Sequence, residues 1–269
     1  MDSPRLCVEI RDGVGRINLN RSAAANAIDL AFAREFEAAA AECLAHRVRV
    51  VLITAEGRQF CAGGDLKSFN PQPDLPTHLM EVTSHLHAGI ATFVEMDAPV
   101  VVAVQGAVAG AGIGLICAAD VAIAAESATF VMAYTALGLS PDGSSSWFLA
   151  RHIGLRRALD FTITNRVLGA DEALAWGLVS RVVRDEQVMS EAEGLIAQLV
   201  VGSTAAYGAS SRLLRAAANN SLRSHLAAET TSIVERARSA DGIEGLRAFA
   251  ERRNPAFSQA DPSKADSFE

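Results

Sequence analysis

The chain has 269 residues, 50% of them hydrophobic and 20% charged, with a formal net charge of −7. That balance belongs to a folded globular chain, since a disordered one has too little apolar surface to offset the entropy of ordering. An acidic chain without a long Lys/Arg run is not a nucleic-acid binder, because that function needs basic charge to displace counterions.

In chain order, LCVEIRDGVGRINLN reads as two short strands around a Gly13-Val14-Gly15 turn. Asp29 to Leu44 reads as an Ala-rich helix begun by an Asp cap. Val48 to Thr54 is a compact apolar run of buried-strand character. A glycine-containing loop follows, then a polar, Pro-rich segment from Asn70 to Pro76. Thr77 to Met96 predicts a helix, Val100 to Gln105 a strand, and AADVAIAA another strand after a glycine cluster. This alternation predicts an α/β fold. From Gly143 onward the pattern is mostly helical, with a short strand at Leu178 to Val183. Helices are expected over Gln187 to Val201, Thr204 to Ala218, Ser221 to Ala240 and Ile243 to Arg253. QADPSKADSFE reads as a loose tail. The chain thus divides into an α/β core over 1–200 and a helical C-terminal region with its tail over 201–269.

The most apolar stretch, Pro99 to Ala125, is interrupted by Gly106, Gly110, Gly112, Gly114 and Asp120. It therefore lacks the roughly 20 continuous apolar residues of a membrane span. MDSPRLCVEI has no apolar core of the kind a secretion signal needs. Cys7, Cys43, Cys61 and Cys117 lie far apart with no CxxC pair. Free thiols in a reducing, cytoplasmic setting are expected, and a structural zinc site is not.

Two glycine clusters carry the chemistry. FCAGGDLKSF follows the strand ending at Thr54; its glycines uncover backbone N–H groups, and Asp65 is placed to cap the next helix. VQGAVAGAGIGL also follows a strand but lacks the GxGxxG spacing of a dinucleotide loop. Each is, taken alone, an ordinary tight turn. Two such turns that each offer an amide to one oxygen would form an oxyanion hole.

FCAGGDLKSF, PVVVAVQGAVAGAGIGL, AADVAIAAESATF, GLSPDG and ADEALAWGLVSRVV, in this order, resemble the crotonase (enoyl-CoA hydratase/isomerase) superfamily over nearly the whole chain. The resemblance implies a spiral of ββα repeats with a helical C-terminal trimerisation region. It implies an acyl-CoA thioester substrate, no cofactor beyond the CoA of that substrate, no metal, and a homotrimer or dimer of trimers. By the same resemblance Gly64 and Ala111 supply the oxyanion amides. Ala111 stands where a glycine is usual, which is harmless if its φ is negative. Ala24, Ala25 and Asn26 match the loop that cradles the adenine. Ala62, Gly64, Asp65, Leu66 and Lys67 belong to the CoA-binding turn, Lys67 near the phosphates.

The chain departs from the hydratase pattern at both catalytic glutamates, where it has Gly114 and Tyr134. Neither replaces a carboxylate base near neutral pH. Asp142, in GLSPDGSSSW, is the remaining acid. Its position resembles that of the proton-shuttling enoyl-CoA isomerases and of the 4-chlorobenzoyl-CoA dehalogenases, where it acts as a nucleophile. A cap for the helix starting near Gly143 is the plain alternative.

At about 100° per residue, Leu79, Val82, Leu86, Ile90 and Phe93 form one stripe. His87 lies about 70° from its centre and His85 about 130°. His87 falls where dehalogenases carry a water-activating histidine, and a structural histidine is the alternative; Tyr134 replaces their tryptophan. Trp147 and Phe148 are expected to pack, and Trp176 to lie in the core. Nothing in sequence lowers the Cys61 pKa, so it is not a nucleophile. The leading expectation is an isomerase using Asp142. The rivals are an aroyl-CoA dehalogenase and a non-catalytic CoA-ligand-binding protein.

Overall fold

In the computed structural model, which describes residues 3–257, the chain begins with strands β1 (Leu6–Arg11) and β2 (Val14–Leu19). They pair antiparallel with Arg11 opposite Val14, so the turn is Asp12-Gly13, both at positive φ (51° and 77°). Asp-Gly is a preferred sequence for such a two-residue turn, whose twist matches the strands. The turn therefore precedes the expected position, and Val14 and Gly15 belong to β2.

Helix α1 (Leu30–Ala45) starts where Asp29 accepts a hydrogen bond from Phe32 N at 2.8 Å. The elements that follow are β3 (Val50–Ala55), β4 (Gln59–Cys61), α2 (Leu66–Phe69) and α3 (Leu75–Glu95). Then come β5 (Val100–Val104), β6 (Ala107–Ala109), α4 (Ala111–Ala118), β7 (Val121–Ala125) and β8 (Thr129–Val131). Helices α5 (Ser145–Ile153) and α6 (Leu155–Thr164) precede β9 (Leu168–Gly169), α7 (Ala170–Trp176) and β10 (Arg181–Val183). The chain closes with α8 (Val188–Leu199), α9 (Thr204–Ala217), α10 (Leu222–Arg238) and α11 (Ala240–Ala250). The expected tail at 259–269 lies outside the described residues.

The strands form two sheets. One has the order β1-β2-β3-β5-β7-β10 and the other β4-β6-β8-β9. Successive strands alternate between them: β3, β5 and β7 enter the first sheet, and β4, β6 and β8 the second. With α2–α3, α4 and α5 as the intervening helices, this is a spiral of ββα turns. The parallel strands β3, β5 and β7 are nearly all buried, which explains their unbroken apolar sequences.

Helix α9 is tied to this body by charge. Arg215 donates to Asp120 Oδ1 at 2.9 Å and to the Val94 carbonyl at 2.6 Å, while Asp120 Oδ2 accepts from Val100 N at 2.8 Å. Helix α10 buries none of its residues, and Leu222, Ile233, Leu246 and Phe249 of α10 and α11 are exposed. Among the described residues no helix is long and apolar enough to cross a membrane.

Candidate active site

Three short parallel strands build the site. In the second sheet Cys61 of β4 pairs with Val108 of β6, and Val108 pairs with Phe130 of β8. Parallel neighbours end at one edge, so the residues following β4, β6 and β8 are delivered together: Gly63-Gly64, Gly110-Ala111 and Ala133-Tyr134. The first two turns touch through backbone. A Cβ on Gly63 (φ 82°) would lie 2.8 Å from the Ala109 carbonyl oxygen, so only glycine permits that approach.

The Ile28 amide donates to the Gly63 carbonyl at 2.8 Å and the Asp65 amide to the Ile28 carbonyl at 2.9 Å. This parallel bridge skips the Gly64 amide. Ala111 is the first residue of α4, where a helix amide has no acceptor within the helix, and its φ is not positive. Among the described residues neither amide has an acceptor. Both residues line one cavity of about 310 Å³, walled by Ile28, Phe69, Leu79, Val82, Leu86, Met132 and Leu139. Two unsatisfied donors in a mostly apolar chamber are the elements of an oxyanion hole.

Asp142 and Tyr134 line the same cavity. Tyr134 Oη donates to Asp142 Oδ1 at 2.5 Å. Burial is the main cause that pushes the Tyr134 phenol far up, with the Asp142 charge and hydrogen bond adding to it, so the hydroxyl stays protonated. The capping alternative fails. Helix α5 has Ser144 at its N-cap with no side-chain cap bond, and Asp142 meets that helix only through its carbonyl, which accepts from the Ser145 amide and hydroxyl.

The loop carrying Asp142 packs directly against Gly114. A Cβ on Gly114 would stand 1.8 Å from the Gly143 carbonyl oxygen. No side chain fits there while the loop keeps this path. Gly143 also packs on Ala111, its own Cβ position being 3.3 Å from the Ala111 Cβ, so the carboxylate loop is seated directly on the residue that offers the amide.

His87 is not a wall of the acyl cavity. It lines a second cavity behind the loop, with Ile90, Asp142, Ser144, Trp147 and Phe148. Its Nε2 accepts from Gly143 N at 3.0 Å. Of the two expectations for His87, this places it against the backbone of the Asp142 loop, in a cavity that Asp142 also lines.

On the CoA side, Ala24 and Ala25 sit at the end of a short 3-10 turn whose Ala25 carbonyl accepts from the Ala62 amide at 3.0 Å. This bond brings the expected adenine loop against the oxyanion turn. Asn26 is fully buried, and its amide nitrogen donates to the Glu56 and Gln59 carbonyls at 2.9 Å each. Its side chain shapes the loop from within, so any contact of Asn26 with a ligand is through its backbone. Asp65 likewise faces inward: it caps α2 through the Lys67 and Ser68 amides and accepts from Arg21 Nη1 at 2.6 Å. Burial alone would raise the Asp65 carboxyl. The Arg21 hydrogen bond and charge, with the two amides, outweigh it and hold the pKa below the usual value. Leu66 and Lys67 are exposed beside Ala62, and Leu66 also lines the cavity.

Sequence reasoning missed Arg21, which also pairs with Asp29 at 3.2 Å and so joins the adenine loop to two helix caps. It also read Leu79, Val82 and Leu86 only as part of one helical stripe, with no role at the site. They form the cavity wall with Thr83, and their one-face spacing was the available signal. Cys61 is buried and pushed up to about 12 by desolvation, so it is no nucleophile. Trp147 is partly exposed beneath the Arg151 guanidinium. Trp176 is not interior: it sits at the core's margin with Arg157 and Arg166 each 5.3 Å from its ring.

An α/β spiral with two acceptor-free amides and a carboxylate in one apolar chamber is the frame of a known class. The chain belongs to the enoyl-CoA hydratase/isomerase family, whose model matches residues 9–260. It is 37% identical to a probable enoyl-CoA hydratase of Rhodobacter capsulatus, over 93% of this chain and 96% of that one. It is 36% identical to 1,2-epoxyphenylacetyl-CoA isomerase of Escherichia coli K12, over 92% and 96%. The crystal structure of an enoyl-CoA hydratase from Polaromonas sp. JS666 matches with a TM-score of 0.89 at 30% identity, covering 94% of this chain and 99% of that one.

Proposed function

We propose that this protein is an acyl-CoA isomerase that moves a double bond through a thioester enolate, with Asp142 as the acid/base. One observation carries the reading. A single carboxylate shares a cavity with two acceptor-free amides, while the two hydratase glutamate positions hold Gly114 and Tyr134.

The thioester oxygen sits between the Gly64 and Ala111 N–H groups. Asp142 Oδ2 takes a proton from C2 of a 3-enoyl thioester; the C–H electrons form the C1=C2 bond of a dienolate that keeps its C3=C4 bond, and the carbonyl π pair moves onto the thioester oxygen. Return of the proton from Asp142 to C4 shifts the double bond to C2=C3 and restores the carbonyl, leaving the 2-enoyl thioester. Tyr134 holds Oδ1 throughout, so Oδ2 is the oxygen free to exchange the proton. Positioned proton transfer of this kind contributes about 10²–10⁴-fold in rate. The apolar walls favour a hydrocarbon acyl group. Lys67, exposed and without a partner among the described residues, is suited to the CoA phosphates. In this reading CoA enters with the substrate and the chemistry calls for no other cofactor. The E. coli relative, named as an isomerase, supports the same direction. We also propose a homotrimer or dimer of trimers, closed over the apolar residues exposed on the C-terminal helices.

Incubation with 3-enoyl-CoA, 2-enoyl-CoA and 4-chlorobenzoyl-CoA tests the reading. A shifted double bond from the first is expected. Hydration of the second as the fastest reaction, or chloride from the third, would replace it, and tight binding without any turnover would leave a ligand-binding protein.

A further inference from the structure

We propose that His87 is a positioning residue: by accepting the Gly143 N–H it locks the loop that aims the Asp142 carboxylate. The inference rests on Asp142 as the acid/base. Gly143 N lies 3.0 Å from His87 Nε2, and a backbone amide only donates. Nε2 therefore carries the lone pair, and the ring proton is on Nδ1.

The loop needs such a hold. Gly143 and Ser144 are consecutive left-handed residues, at φ 58° and 65°, and a non-glycine residue in that region persists only where its surroundings fix it. Ser144 lacks the capping bond that usually anchors a helix start, and its hydroxyl has no partner. On the cavity side Tyr134 restrains the Asp142 side chain. Behind the loop, His87 restrains the peptide immediately after Asp142, joining α3 to the start of α5 across 56 residues of sequence. The two restraints act on different atoms: one sets the carboxylate rotamer, the other sets where its backbone stands above Gly114.

This assignment also bears on reaction class. Substitution through an aspartyl ester needs a second step in which a base with a free lone pair takes a proton from water. Here the Nε2 lone pair is engaged by Gly143, and Nδ1 carries the ring proton. In this arrangement the imidazole holds the loop and offers no free lone pair to water, which favours proton transfer by Asp142 over ester hydrolysis.

The test compares kcat and KM of the full-length protein on 3-enoyl-CoA for wild type, His87→Leu, His87→Gln and Asp142→Asn. Loss of one hydrogen bond of about 1.4 kcal/mol predicts that His87→Leu lowers kcat about tenfold with KM within about twofold. His87→Gln, whose amide oxygen can accept the same N–H, restores kcat to within about threefold of wild type. Equal loss in Leu and Gln would make the imidazole itself chemical, and wild-type kcat in His87→Leu would remove any role; either overturns the proposal. An active Asp142→Asn would instead sink the acid/base reading, whatever the histidine variants do. If His87→Leu does not fold, ¹⁵N NMR of histidine-labelled wild type still decides. Protonated Nδ1 with bare Nε2 is expected, and the opposite tautomer contradicts the bond.

Discussion

In the proposed reaction Ala111 acts through its backbone amide, while its methyl group packs against Gly143 of the Asp142 loop. Because Ala111 is the first residue of α4, proline is sterically acceptable there while deleting the N–H. Ala111→Pro is expected to keep the fold and lower kcat/KM about 10²–10³-fold, the loss typical of one oxyanion donor. Full activity in a folded variant would move the oxyanion elsewhere. Gly114 matters for the opposite reason, since the space beyond its Cα belongs to Gly143. Restoring the hydratase residue with Gly114→Glu should cost about 1–3 kcal/mol by overpacking. It should also displace the Asp142 loop, so isomerisation falls and hydration is not gained. Thermal melting and assays of both reactions check this, and an unchanged melting temperature with new hydratase activity would contradict it.

At the level of elements, the four-residue helix α2 depends on its cap. Asp65 holds the Lys67 and Ser68 amides and the Arg21 guanidinium together, fixing the turn that carries Gly64. Its pKa in the folded chain lies below the unfolded value of about 3.9, so the stabilisation is present above that value. It is lost as pH falls through the folded pKa. Asp65→Asn keeps capping capacity and removes the charge, so it should melt below wild type at about pH 7, with the gap closing as pH falls below the unfolded value of about 3.9. A gap independent of pH would assign the effect to packing. Helices were legible in sequence from periodicity, joined at Asp29 by a recognised cap; Ser203 and Ser221 cap α9 and α10 in the structure without having been read as caps. Helix α3 begins at Leu75, earlier than expected, because Asp74 accepts from the Thr77 amide and Pro76 is tolerated in the first turn. The second sheet was not legible. Strands β4, β6 and β8 have three residues each, too few for a period, yet they set the site. Helix α4 was hidden because all eight of its residues are buried, which leaves no polar face to mark a turn.

For the whole molecule, the ordered motifs gave family and fold together, and Gly64, Ala111, Tyr134 and Asp142 do share one cavity. What the motifs left open was direction: whether Asn26, Asp65 and His87 face the ligand depends on long-range partners that no local pattern encodes. The C-terminal helices leave Leu214, Leu222, Ile233, Leu246 and Phe249 exposed, and Phe249 is 85% so. Sedimentation at micromolar concentration should therefore give a trimer or hexamer, and a monodisperse monomer would contradict that part of the account. The central claim is that Asp142 moves the proton while two backbone amides hold the enolate. Its most direct test is the single-turnover rate of 3-enoyl-CoA isomerisation in wild type and Asp142→Asn, with thioester affinity measured on the same samples. The account predicts unchanged binding and a rate lower by about 10²–10⁴-fold. An Asp142→Asn protein that binds and isomerises like wild type would contradict it.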